Sequence, residues 1–456
     1  MEIVRPNTAN KVVVVGLDGV PHSLLVRLAE AGVTPNISRI LSEGMLSPME
    51  TTFPEISSVA WTSFMTGQNP GRHGIFGFTE LAGDTYRLHF PGFGQVKEPV
   101  LWDVLEQYGL RSVVLNLPST YPAPPVNGVL VSGFVAPRLE HAVYPPEIIP
   151  VLQGMNYRVD VDANLGHTSP EKLMEDLMDT LELRRKAFHY LWENHRWDLF
   201  LMVITGTDRL HHFLWDAWEE PGHKFVDAFR HYYRRLDHLV GEIYSLTPSD
   251  ALFMMVSDHG FTRLRSHVYL NYWLHRNGYL FYEKDDPESV ECINSKTRAF
   301  AMDPSRIYIH LQGRFSRGLV VPGQEAARLR EELAERLCRM EVHIPDCLDP
   351  TASSTVRPIR RVYRKEEIYR GQFLNLAPDL VLESEPGFDL KGSTRTRHLA
   401  DRKVFTGMHT RTDAFIFIRS KKASFPSPVR IVDCLPTILT SLGIPAGDSF
   451  DGQSLI

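Results

Sequence analysis

The chain has 456 residues, 43 % of them hydrophobic and 23 % charged, with a formal net charge of −6. That balance is ordinary for a globular protein with a large core, and it argues against non-specific nucleic-acid binding as the main task. No run reaches the ~20 apolar residues that span a bilayer, MEIVRPNTANK lacks the apolar stretch of a secretory signal, and the four scattered cysteines (Cys292, Cys338, Cys347, Cys434) form no CxxC pair, so the expectation is a cytoplasmic protein without a disulfide framework or thiolate zinc site.

Lys11-Val-Val-Val-Val-Gly-Leu-Asp18-Gly19 reads as a buried strand ending in an aspartate, and Pro21 with Leu24, Leu25 and Leu28 starts a helix. No GxGxxG follows, so this loop is not a dinucleotide site. Thr34-Pro35-Asn36 is expected to cap and open a short helix through Ile37, Ile40 and Leu41, ended by Gly44. Pro54 then breaks an extended segment, and Gly67 stops a helix of about two to three turns. Ser57 and Ser58 lie near its amino end, where unpaired amides and the dipole favour an anion or a deprotonated hydroxyl. The plainer alternative is that one of them is only an N-cap.

Between Thr79 and Tyr157, Gly- and Pro-rich loops alternate with short strands at Ser112–Leu115 and Gly128–Val131. Pro170 to Trp192 is a long amphipathic helix with Leu173, Leu177, Leu181, Phe188 and Leu191 along one stripe. It leads into the strand Asp198–Thr205. In the helical segment that follows, Asp208 and His212 stand four residues apart on one face, so a carboxylate oxygen and an imidazole nitrogen can converge on one ion. His211 points elsewhere and reads as structural or as a support behind the ligands. A helix over Phe225–Ile243 precedes the apolar run Ala251-Leu-Phe-Met-Met-Val-Ser, which leaves the sheet at Asp258-His259-Gly260. The carboxyl ends of strands are where open α/β sheets build their chemistry, and Asp with His offers oxygen and nitrogen ligands suited to zinc or its neighbours.

Further on, Arg306–His310 reads as a strand and Gln324–Met340 as a helix. The basic run Arg357–Lys365 is interrupted by Glu366 and Glu367 and reads as a solvated face. Pro378–Leu382 is another strand. His409 falls on a Gly-flanked loop, Thr406-Gly407-Met408-His409-Thr410, before the strand Ala414–Ile418, and Val432–Leu439 is an amphipathic helix.

Asp18, Asp208, His212, Asp258, His259 and His409 thus each fall at or beside a buried strand, and two three-ligand sites can be drawn from them. Two ions about 4 Å apart can clamp the attacking and departing oxygens of a displacement at phosphorus, with a serine at a helix amino end as the missing oxygen. Together these motifs resemble the alkaline phosphatase superfamily and, within it, the type I phosphodiesterase/nucleotide pyrophosphatase family, from about Val12 to the C-terminus. Asp18 matches the family's aspartate after the first strand, Asp208 with His212 its Asp-x-x-x-His, Asp258-His259-Gly260 its Asp-His-Gly, and His409 its late Gly-x-His. Thr66-Gly67 and Pro70 through Ile75 match its Thr-Gly and Pro-x-x-His-Gly-Ile stretches. Counting back from Gly67 by the family spacing puts the nucleophile at Ser57, and Thr52 of Thr51-Thr-Phe-Pro54 becomes a decoy.

The resemblance implies a three-layer α/β/α sandwich around a large, mostly parallel sheet, as one hydrolase domain over 10–456 with inserted cap segments within 76–165 and 263–375. It implies a phosphodiesterase or pyrophosphatase working through phosphoserine, with Asp208, His212 and His409 on one divalent ion. Asp18, Asp258, His259 and Ser57 Oγ would hold the other. The donors suit zinc, with manganese as the alternative. The partner would be a small phosphoester, a nucleotide or nucleotide-sugar among the candidates, rather than a nucleic acid polymer or a membrane. Two departures matter. Ala60 stands where the nucleotide pyrophosphatases carry a phosphoryl-holding asparagine, and Ser57-Ser-Val-Ala-Trp61 lacks the Pro and Arg of a sulfatase. A phosphomonoesterase or phosphomutase, and a non-catalytic binding protein on this fold, are the rival functions. Trp61, Tyr269, Tyr272, Arg263 and Arg265 are candidates either for substrate contact or for packing.

Overall fold

A computed structural model of the chain describes residues 10–82, 85–345, 353–420, 423–447 and 449–456. They fall into two compact units, one comprising the chain up to Asn69, Gly92–Phe261 and His409–Ile456, the other Pro70–Pro91 and Thr262–Met408.

The first unit is built on a nine-stranded sheet. Its spatial order is Val429–Arg430, Met45–Glu50, Ala414–Ile418, Leu252–Val256, Val12–Leu17, Leu199–Ile204, Ser112–Leu117, Gly128–Ser132 and Val143–Tyr144. The five strands from Leu252–Val256 to Gly128–Ser132 run parallel. Ala414–Ile418 and Val143–Tyr144 are antiparallel to their neighbours at either end of that block. In the middle, Val12 stands opposite both Leu199 and Leu252. A parallel strand covered on both faces has no polar side to show, which is why Val12–Val15 is an unbroken valine run with at most 1 % exposure.

Alternate residues of these strands serve opposite layers. Val14, Leu201, Val203, Met254 and Ile416 share a core with Trp61, Phe64, Leu105, Leu435 and Ile438 from the helices Ser57–Thr66, Leu101–Gln107 and Cys434–Ser441. On the other face Phe200 meets Phe188 of the helix Pro170–Asn194 edge-on at 5.4 Å between centroids, and Phe253 meets Tyr244 of the helix Val226–Leu246 at 4.8 Å. The result is the expected three-layer α/β/α sandwich with a large, mostly parallel sheet.

Local signals place most helix ends. Gly67, at φ 64°, takes the left-handed conformation that terminates Ser57–Thr66. Thr34 is a correction: it makes no side-chain cap for the helix Pro35–Ser42. The first-turn amides of Asn36 and Ile37 instead donate to the Asp237 carboxylate, at 3.1 and 2.8 Å. A cap delivered from a distant helix leaves no trace beside the helix it caps.

The second unit has a four-stranded antiparallel sheet in the order Ala299–Met302, Arg306–Ile309, Leu380–Ser384, Ile359–Arg364. Leu329, Leu333 and Leu337 of the helix Gln324–Cys338 pack into its core. The basic run falls on the last of these strands, and Arg357, Arg361 and Arg364 pair with Glu341, Glu367 and Glu331 in exposed ion pairs. It is the solvated face the sequence suggests. Cys292, Cys338 and Cys434 are free thiols, and Cys347 lies outside the described residues. Among the described residues no helix is long and apolar enough to cross a membrane.

Candidate active site

Three neighbouring parallel strands end at one edge of the large sheet, and each delivers an acid there. Asp258 and His259 follow Leu252–Val256, and Asp18 follows Val12–Leu17. Asp208 sits in the first turn of the helix Gly206–Glu219, just after Leu199–Ile204. Because Ala414–Ile418 runs antiparallel beside Leu252–Val256, its start lies at that same edge, and His409 comes five residues before it. His409 stands on a short strand, Gly407–Thr410, not on the loop expected from its flanking glycine. All six residues predicted as ligands meet in the first unit.

Ligand atoms of Asp208, His212 and His409 lie within 4.8 Å of one another, and so do those of Asp18, Asp208 and His259. Asp208 belongs to both groups. Asp258 joins through Oδ2, 3.4 Å from His259 Nε2. Within the first group His409 Nε2 is 3.1 Å from Asp208 Oδ1 and 3.0 Å from His212 Nε2.

Ser57 is the first residue of its helix. The N-cap position is Ile56, so the serine is not a cap. Its Oγ is 3.1 Å from His259 Nε2 and 3.3 Å from Asp18 Oδ1. Thr52, by contrast, donates its hydroxyl to the Pro54 carbonyl at 3.1 Å. Trp61 is fully buried and donates its indole N–H to Asp18 Oδ2 at 2.9 Å, so it is a support of the site and not a surface for substrate. Tyr269 is also buried, in the second unit, with its hydroxyl on Asp401 at 2.6 Å.

The donors are arranged to receive cations. Each carboxylate has one oxygen held by a donor from outside the cluster: Asp18 Oδ2 by Trp61, Asp208 Oδ2 by Arg209 Nη1 at 2.8 Å, and Asp258 Oδ1 by the Gly19 amide at 3.0 Å. The second oxygen of each is turned toward the imidazoles or Ser57, and Asp258 Oδ2 is buried without a hydrogen-bond donor. The imidazoles are fixed in the same sense. Nδ1 of His259 and of His409 lies against the carbonyls of Gly260 and Glu55, at 3.0 and 2.9 Å. A carbonyl only accepts, so Nδ1 carries the proton and the Nε2 lone pair faces the cluster.

The electrostatics agree. Burial, with the charges of Asp258 and Asp208, holds the Asp18 carboxyl well above its usual range, and burial pushes Asp258 up to about 7. Burial would also raise Asp208, but His212, His409 and Arg209 together hold it well below the usual range. Burial, reinforced by His409, pushes His259 down to about 4, and burial lowers His409 too. Burial favours neutral His259 and His409 and makes Asp18 and Asp258 costly to ionise together, a penalty that a divalent cation among them relieves. The residues present therefore fit metal ions.

His211 is structural, as expected. Nδ1 donates to the Gly19 carbonyl at 2.8 Å, leaving Nε2 to accept from the Tyr233 hydroxyl at 2.7 Å. Sequence reasoning missed Arg209, whose only signal is its place beside Asp208. It also missed Thr207, whose hydroxyl donates to the Asp18 carbonyl at 2.6 Å.

A mostly parallel sheet covered on both faces gathers acids and imidazoles at its carboxyl edge, where open α/β folds build their chemistry. Residues 12–410 match the family model for type I phosphodiesterase / nucleotide pyrophosphatase. The chain belongs to that family and is a hydrolase of phosphoric ester bonds. Among solved structures it is similar to phosphonoacetate hydrolase from Sinorhizobium meliloti 1021 in complex with phosphonoformate (TM-score 0.61, 16 % identity, 96 % of this chain and 98 % of that one). It is also similar to murine ectonucleotide pyrophosphatase/phosphodiesterase 5 (TM-score 0.55, 13 % identity, 96 % of each chain). No curated protein sequence matches it significantly.

Proposed function

We propose that the protein hydrolyses a small phosphodiester or pyrophosphate-type ester, with Ser57 as nucleophile and a phosphoserine intermediate. The observation that carries this reading is the Ser57 hydroxyl, at a helix amino end and 3.1 to 3.3 Å from both His259 Nε2 and Asp18 Oδ1. Asp208, His212 and His409 would hold one divalent ion and Asp18, Asp258, His259 and Ser57 the other, with Asp208 near enough to serve both. Zinc suits these donors, with manganese as the alternative. Bound there, such ions supply Lewis-acid charge that favours the alkoxide and stabilises phosphoryl oxygens.

The chain's own residues do the rest. Asp18 and His259 orient the hydroxyl, and the helix amino end favours negative charge as it develops on Oγ. Ser57 Oγ gives up its proton to solvent and attacks phosphorus in line, one ester oxygen departs and takes up a proton, and water cleaves the resulting phosphoryl- or alkylphosphoryl-serine to release the product and restore the hydroxyl. A second reading is a monoester or phosphonate substrate on the same machinery. It is supported by Ala60, which offers no side-chain amide to a phosphoryl oxygen, and by the likeness to a hydrolase solved with phosphonoformate.

A panel of bis-p-nitrophenyl phosphate, p-nitrophenyl phosphate, nucleotides and phosphonoacetate, run on zinc- and manganese-loaded protein, separates the readings. Diester turnover in the wild type, lost in Ser57→Ala with metal content unchanged, supports the proposal. Undiminished turnover in Ser57→Ala contradicts it. Preference for the monoester or phosphonate moves the protein to the second reading.

A further inference from the structure

The residue after Asp208 is an arginine whose guanidinium is built into the fold. Arg209 Nη1 donates to Asp208 Oδ2 at 2.8 Å, while Nη2 and Nε both donate to Asp160 Oδ2, at 2.7 and 3.2 Å. The guanidinium lies 4.4 Å from the centroid of the Phe134 ring. Asp160 is held in turn, because its Oδ1 accepts from the Thr205 hydroxyl at 3.1 Å and from the Val161 amide at 2.9 Å. Thr205 is the N-cap position of the helix that carries Asp208 and His212. The side chains of Arg209, Asp160 and Asp208 are 15, 13 and 5 % exposed, so this is not a loose surface ion pair.

We infer that Arg209, clamped by Asp160, is a positioning residue for Asp208: it occupies Oδ2 and so fixes the direction in which Oδ1 is offered to the imidazoles and to a cation. The inference rests on the proposed two-ion site. A planar fork can bridge two carboxylates in a set orientation, whereas a lysine ammonium, a point charge on a flexible stem, cannot. Asp208 needs such control more than its neighbours because its ligand atom is common to both donor groups, and a small rotation would disturb both.

Positioning and simple charge balance predict opposite signs. By Coulomb's law alone, a cation beside a metal ligand repels the metal, so removing it should tighten binding. If Arg209 positions the ligand, removing it weakens binding. The test is Zn²⁺ affinity of the metal-stripped full chain, measured by competition with a chromophoric chelator at fixed salt, alongside thermal unfolding of each metal-free variant. Arg209→Gln and Asp160→Asn should each lose about 10- to 100-fold in affinity, the range for groups that orient metal ligands. Arg209→Lys should recover only part of the Arg209→Gln loss at equal thermal stability. If Arg209→Gln does not fold, Asp160→Asn and Thr205→Val carry the test, since both loosen the clamp while leaving Arg209 in place. Equal or tighter Zn²⁺ binding by Arg209→Gln, or full recovery by lysine, overturns the inference. Asp208→Asn is the control. If it loses Zn²⁺ while the clamp variants keep it, the inference alone fails. If it binds as the wild type does, the two-ion site fails and the inference with it.

Discussion

Trp61→Phe separates support of the site from packing in one substitution. The indole lies against Gly16, where an added Cβ would come within 2.7 Å of its Cη2, and it donates to Asp18 Oδ2 at 2.9 Å with both residues at most 2 % exposed. Phenylalanine keeps most of the ring but leaves that oxygen buried without its donor, which costs about 1–3 kcal/mol. The cavity left by the smaller ring adds about 1 kcal/mol, for a total of about 2–4 kcal/mol. A drop of that size in stability should appear in urea unfolding of the metal-free protein. Asp18, free to turn, should also lower Zn²⁺ affinity and turnover by about 10- to 100-fold. Stability lost with affinity and turnover unchanged would mean that Trp61 only packs, and the support argued for Asp18 would be refuted.

Two further predictions concern protons. His73, in the second unit, accepts the Ile75 amide on Nδ1 at 3.2 Å, and burial pushes its pKa down to about 3. The unfolded chain takes up that proton near pH 6.5 and the folded chain does not, so stability is complete above about pH 6.5. It falls by about 1.4 kcal/mol per pH unit on the way down to pH 3. Unfolding midpoints between pH 7 and 4 should therefore slope less in His73→Gln, and an unchanged slope would contradict the assignment. Asp258 has the opposite sign: held up to about 7 by burial, it keeps a proton in the folded state that the unfolded chain has lost, so metal-free stability falls as pH rises toward 7. At pH 8 metal-free Asp258→Asn should be more resistant to urea than the wild type while losing Zn²⁺ binding, the trade expected where function requires a costly buried charge. A less stable variant would speak against it.

Much of the fold and the site was legible because the signals were local. A valine run ending in Asp18, the four-residue spacing of Asp208 and His212, and the apolar run before Asp258 and His259 each state their own geometry. Parallel pairing then brings their ends to one edge without further information. What stayed hidden depends on partners far apart in the chain. Asp237 replaces Thr34 as a helix cap, Asp160 grips Arg209 from a loop that carries no pattern, and Trp61 turns its polar edge to Asp18 from inside an apolar helix. His409 reads as a loop residue because a four-residue strand that begins on glycine has no periodicity to show. Double membership of Asp208 in the cluster is likewise a matter of three-dimensional crowding, not of spacing.

The most direct test is to mix metal-loaded protein with a turned-over phosphoester, quench in acid within the first turnover, and map the adduct by peptide mass spectrometry. A phosphoryl or alkylphosphoryl group is expected on Ser57, and none in Ser57→Ala. An adduct on Thr52 or another residue, or none while turnover proceeds, would contradict it.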